Sequence, residues 1–200
     1  MSPSDFAVRI EQLPDLTRFR FEAELPLLWT ERLAGGLAAL GEDIAELVAD
    51  RHAGVWDVQL SVRGRPQVDL GHLMRDAEPR AGSADQHKLE SFSVHRNDDG
   101  GLELVVRALD RPGFLAFLLR ELRTLALFPA RVKARSVGNL AEDRLLLVSV
   151  GGASPSAETA RALSARMAAA TVGARAAAFP VRRPSSTSTW ASCSCERAGP

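Results

Sequence analysis

The spacing of hydrophobic and polar positions along this chain changes period several times, and it does so in the same order in two stretches. In the later stretch, Leu104 to Leu109 is a short apolar run with valines, which predicts a buried strand. Asp110-Arg111-Pro112-Gly113 stops it and opens a helix. Aspartate can accept backbone N–H bonds at a helix start, and proline is tolerated in the first turn, where its missing donor would have no partner anyway. Phe114, Leu115, Leu118, Leu119, Leu122, Leu125 and Ala126 follow at helical spacing and give one broad apolar face. The period then drops to two. Ala130, Val132 and Ala134 alternate with Arg131, Lys133 and Arg135, as in a strand with one buried and one wet face. Gly138-Asn139 predicts a turn and Leu145 to Val150 another strand. Ser154-Pro155 signals a second helix carrying Ala160, Leu163, Ala165 and Met167, ended by Gly173, and Ala174 to Val181 supplies a last strand.

The earlier stretch follows the same order with poorer punctuation. Phe19, Phe21 and Ala23 alternate with Arg20, Glu22 and Glu24; Leu27, Leu33, Leu37 and Leu40 mark a helix. Ile44, Glu46 and Val48 fall in a second strand, Val55 to Val62 in a third, Asp69 to Asp76 in a short helix, and Leu89 to Arg96 in a closing strand. An offset of 85 positions aligns Leu118 with Leu33, Leu122 with Leu37, Leu125 with Leu40 and Ala130 with Ala45. Dropping three residues at the second hairpin then sets Leu146 on Val58 and Val150 on Val62. The expected class is α+β: two tandem βαββαβ ferredoxin-like modules, each an antiparallel four-stranded sheet with helices on one face. The divisions are an N-terminal extension over 1–16, a divergent module over 17–97, a better preserved one over 98–182, and a disordered tail over 183–200. The turn at Asn97 to Gly100 runs straight into Leu102, which favours a fixed geometry between the modules.

Composition changes this picture by exclusion. Lys plus Arg and Asp plus Glu number 25 each, so net charge gives no reason to expect nucleic acid or anionic membrane as a partner. The first residues lack a signal-peptide core, and no run approaches the ~20 apolar residues of a membrane span, so a cytoplasmic location is expected. Cys193 and Cys195 stand one residue apart in a Ser/Thr-rich segment and read as free thiols. His52, His72, His87 and His95 are scattered, without partners at metal-site spacing, and read as solvated side chains. Trp29 and Trp56 read as packing residues, Glu142-Asp143 as a turn before a strand. Arg131, Lys133 and Arg135 could meet phosphate, but a wet strand face accounts for them. With no assembly of nucleophile, base and stabiliser, neither catalytic residues nor a metal or cofactor is expected, and the chain does not read as an enzyme.

The stretch from Val105 to Ser149 resembles the ACT domain. It is carried by the strand ending in Asp110-Arg111-Pro112-Gly113, the helix, the Ala130-Arg131-Val132 strand, the Gly138 turn and Asp143. More narrowly, it looks like the tandem ACT pair at the C-terminus of bacterial bifunctional uridylyltransferase/uridylyl-removing enzymes, which respond to glutamine. In the earlier module, Asp57 to Val62 followed by Arg63-Gly64-Arg65-Pro66 resembles the third strand and its exit, and the likeness covers roughly 17 to 181. Two departures stand out. The earlier module has Leu25-Pro26-Leu27-Leu28 where the later has its Asp-Arg-Pro-Gly turn, and Phe114 stands where the family often has leucine. The motifs of the family's catalytic domains are missing.

The resemblance implies a non-catalytic regulatory protein that senses an amino acid held between two modules, tied to nitrogen or amino-acid metabolism. One turn has the chemistry for such a ligand. A helix start offers unpaired N–H groups and the positive end of its dipole to a carboxylate, Gly113 lets the backbone come close, and Asp110 could accept an ammonium. The expected ligand-binding residues are Asp110, Arg111, Pro112, Gly113, Phe114 and Leu115, with Ala130 and Val132 as an apolar wall. The plainer reading of Asp110 is a helix cap worth ~1 kcal/mol. The rival functions are a ligand-free interaction or dimerisation module, partnered by a second copy or by a regulated enzyme, and the regulatory remnant of a nucleotidyltransferase.

Overall fold

The alternation along each strand resolves into a single antiparallel sheet of eight strands. A computed structural model describes residues 7–76 and 87–171. In chain order its elements are β1 (Arg9–Gln12), β2 (Leu16–Ala23), α1 (Trp29–Ala39), β3 (Ile44–His52), β4 (Val55–Arg63), α2 (Leu70–Asp76), β5 (Leu89–Arg96), β6 (Leu102–Leu109), α3 (Phe114–Thr124), β7 (Leu127–Val137), β8 (Leu140–Ser149) and α4 (Ala157–Ala170). Across the sheet the strands lie in the order β1-β2-β4-β3-β7-β8-β6-β5.

One face is apolar because period-two alternation sends every second residue to it. Phe19, Leu47, Val58, Leu60, Leu104, Val132 and Leu145 point there and share one core with Leu33 and Leu37 of α1, Leu118 and Leu122 of α3, and Leu163 of α4. The other face carries cross-strand ion pairs such as Arg131–Asp50 at 2.8 Å and Arg144–Glu103 at 3.4 Å. Such pairs favour this register over others but are each worth under about 1 kcal/mol at exposed positions. No helix among the described residues is long and apolar enough to cross a membrane.

The internal repeat is visible in the pairing itself. Thr17 faces Val62 and Leu102 faces Leu147; Asp50 faces Asp57 and Arg135 faces Glu142; in each case the second pair lies 85 positions after the first. The ladders even break at equivalent places, with bulges at Ala45 and Ala130. The offset therefore holds through the second hairpin, and the three-residue shift read from the sequence is corrected: Leu145, not Leu146, occupies the place of an inward β4 residue, Leu60.

Strand Leu89–Arg96, expected to close the first half's sheet, instead pairs with β6, Val94 facing Leu104. The short hairpin at Asn97–Gly101, closed by the Asn97 N–H to Gly101 carbonyl bond at 3.0 Å, makes that pairing local and cheap in chain entropy. At the far edge, β1 from the expected N-terminal extension occupies the matching place beside β2. Each half thus runs ββαββα over the described residues, with its edge strand ahead of the central one. The strand expected at Ala174–Val181, and Cys193 and Cys195, lie outside the described residues. Helix α4 is capped by Ser156, whose hydroxyl accepts the Thr159 N–H at 3.0 Å, one residue past the expected Ser154-Pro155 start.

The halves meet at the middle of the sheet, where β3 pairs with β7 from Glu46↔Arg135 to Asp50↔Arg131. Above this seam α1 packs on α3. The Ser136 hydroxyl donates to the Ile44 carbonyl at 3.0 Å. Glu31 of α1, 2% exposed, faces Arg123 of α3 at 3.5 Å, and burial raises its pKa despite the lowering fields of Arg123, Arg120 and Arg32.

Candidate functional site

The β6–α3 turn reaches the seam between the halves. Asp110 donates its backbone N–H to the Asn139 carbonyl at 2.8 Å, which ties the turn to the β7–β8 hairpin. Gly113 then takes the left-handed conformation, φ 84°, as the residue before α3. That conformation is strained for any residue with a Cβ, so glycine belongs here. The cap of α3 is therefore Gly113, and the expectation that Asp110 caps this helix is corrected. Phe114 N–H closes on the Arg111 carbonyl and Phe117 N–H on the Gly113 carbonyl. The N–H groups of Leu115 and Ala116 between them have no acceptor among the described residues.

These donors lie at a cleft between the halves with a volume of about 40 Å³. The turn from Asp110 to Gly113 and the first residues of α3 form one wall, and Ala34, Ala38, Glu42, Asp43 and Ile44 form the wall from the first half. Its floor is Ala134, Arg135 and Ser136 of β7 with Ala141 and Asp143 of β8. Six of the expected site residues, Asp110 to Leu115, thus gather at one cleft. Ala130 and Val132 do not line it. Ala130 is the bulge residue, and Val132 is sealed between Ala49 and Leu145 in the sheet. Two residues along the strand, Ala134 takes the role expected of them.

Asp143 is the residue that sequence reasoning misread. It sits inside β8 and not in a turn, it points to the apolar face, and it is 3% exposed. The backbone N–H of Arg135 serves its carboxyl group, while Oδ2 is buried without a partner. Burial first, then the nearby Asp110 carboxylate, push its pKa up to about 7. A signal was present: Ala141, Asp143, Leu145 and Leu147 form one inward row, and an aspartate in such a row is an anomaly.

His87 is a second correction. It is buried, not solvated, with its ring stacked on Phe117 at 5.2 Å and tilted against Phe114 at 6.1 Å. Burial, then the fields of Arg111 and Arg120, lower its pKa, so the neutral ring braces the start of α3. Trp29 and Trp56 pack edge to face at 5.1 Å in the core of the first half, as expected. Among the described residues no three His, Cys, Asp or Glu side chains are grouped to hold a metal ion.

The cleft can do one thing well. It offers two carboxylates, Asp110 and Asp143, beside a helix start with open N–H groups, which complements a small molecule carrying an ammonium next to a carboxylate. Compared with protein-family models, with curated proteins and with solved structures, the chain gives no significant match. Its own geometry therefore carries the functional reading.

Proposed function

We propose that this protein is a non-catalytic sensor of an amino acid, built on ACT-type units, and that the ligand sits in the cleft between its halves. The observation that carries the reading is Asp143, a cleft-lining residue whose buried carboxyl has one oxygen without a partner. A buried polar group without a partner costs on the order of 1–3 kcal/mol, more when charged, and a ligand ammonium would remove that cost. The α3 N–H groups take the ligand carboxylate, and Gly113 keeps side-chain atoms out of the way. The resemblance of the Asp110-Arg111-Pro112-Gly113 turn to ACT domains supports the same ligand class.

Because the cleft is walled by both halves, a ligand that binds one packing of α1 on α3 better than another shifts the population toward it. That shift is the signal passed to a regulated partner. The test is a thermal-shift screen with each of the twenty amino acids at millimolar concentration, where stabilisation follows RT ln(1 + [L]/Kd). At least one should raise the melting temperature of the wild type and fail to do so in Asp110→Ala and Asp143→Asn. A flat screen, or a shift that survives both substitutions, contradicts the proposal.

A further inference from the structure

We infer that the ligand of this cleft is a basic amino acid, with Glu42 reading its second cationic group. The inference rests on the amino-acid reading above and narrows it. The cleft's space of about 40 Å³ holds only one or two water-sized groups. It has room for the ligand's ammonium beside Asp143 and leaves the rest of the molecule at the mouth. What the mouth presents is therefore what the ligand side chain meets.

Among the described residues, the charged ones lining the cleft are Asp110 and Arg111 from the β6–α3 turn, Glu42 and Asp43 from the α1–β3 segment, Arg135 from β7 and Asp143 from β8. Arg135 donates to Glu142 from Nε at 3.1 Å and Nη2 at 2.6 Å, and Asp43 meets Arg63 at 2.6 Å. The carboxylates of Glu42, Asp110 and Asp143 remain, an excess of acid that a net-neutral zwitterion does not balance. Glu42 enters no ion pair among the described residues and lines the cleft from the first half. A ligand with its ammonium at Asp143 and a cationic side chain directed to Glu42 meets a carboxylate of each half at once. The same excess repels an acidic side chain, which gives selectivity in both directions.

The experiment is a calorimetric titration of the full chain at pH 8 with lysine, norleucine and glutamate. Norleucine has lysine's carbon chain without the second amine. The expected result is lysine about tenfold or more tighter than norleucine, the size of one additional charge contact at a wet cleft mouth, with no measurable heat for glutamate. In Glu42→Gln the lysine-to-norleucine ratio falls by about fivefold. Equal or tighter binding of norleucine, or of any neutral amino acid, overturns the basic-ligand inference and leaves the amino-acid reading standing. A ratio unchanged in Glu42→Gln removes Glu42 from the assignment. Failure of all twenty amino acids to bind overturns both.

Discussion

The two halves of this protein share one register and differ in what stands at a few matched positions. Eighty-five residues after Val58 comes Asp143, after Trp56 comes Ala141, and after Trp29 comes Phe114, each at the same place in its ladder or helix. In the first half Trp29 and Trp56 are buried edge to face beside a fully buried Val58, and the space is plugged with apolar volume. In the second half Ala141 and Asp143, a small side chain and a buried carboxyl with one unpartnered oxygen, stand in the places of Trp56 and Val58 and line the cleft. The turns diverge accordingly. Leu28 precedes α1 at φ −102°, whereas Gly113 precedes α3 at φ 84°. The first copy fills these positions with apolar volume, and the second places a buried carboxyl there at some cost to stability.

The largest expected effect is a dependence of stability on pH carried by Asp143, to which the raised Glu31 of the first half adds in the same direction. Asp143 has its pKa raised from 3.8 to about 7 on folding. For a raised acid, stability is fully present below the unfolded value and is lost as pH climbs from about 4 to about 7. The loss is about 4 kcal/mol at 1.36 kcal/mol per unit, levelling off above the folded value. Urea denaturation between pH 4 and 8 should show this fall in the wild type and little of it in Asp143→Asn. A flat wild-type profile would mean that Asp143 is not a strained group.

Next in size is the plug. Trp56→Ala removes a ring packed on Trp29 and should cost about 3 kcal/mol in the midpoint of urea unfolding while the m value stays constant. A cost under 1 kcal/mol would show that the first half's space is not tightly filled. The smallest effect is at the turn. Gly113→Ala forces a Cβ into a left-handed backbone and should cost about 1 kcal/mol, read from the same unfolding curves.

Much of this contrast was legible in the sequence. The repeat at 85 positions, the helix faces and the position of the Asp110-Arg111-Pro112-Gly113 turn all follow from periods of 3.6 and 2 and from glycine and proline punctuation. The pairing of Leu89–Arg96 was not legible, since alternation identifies a strand but does not name its neighbour, and a hairpin competes with a longer return across the sheet. Ala130 was displaced by a bulge, which leaves no mark on hydropathy, and Val132 is shut in by its two strand neighbours. Asp143 was hidden for a different reason. Beside Glu142 it looked like a polar pair in a turn, and only the strand's inward row separates the solvated Glu142, held by Arg107 and Arg135, from the buried residue next to it.

The most direct test of the account is an NMR titration of the ¹⁵N-labelled chain with an equimolar mixture of the twenty amino acids, at pH 8 and repeated with Asp143→Asn. The account predicts amide shift changes concentrated at Gly113 to Ala116, Ala134 to Ser136 and Ala141 to Asp143. It predicts none at the matched positions of the first half, Leu28 to Glu31 and Trp56 to Val58, and none anywhere in the variant. Absence of change at the first set, equal change at both sets, or an unaltered response in Asp143→Asn would contradict it.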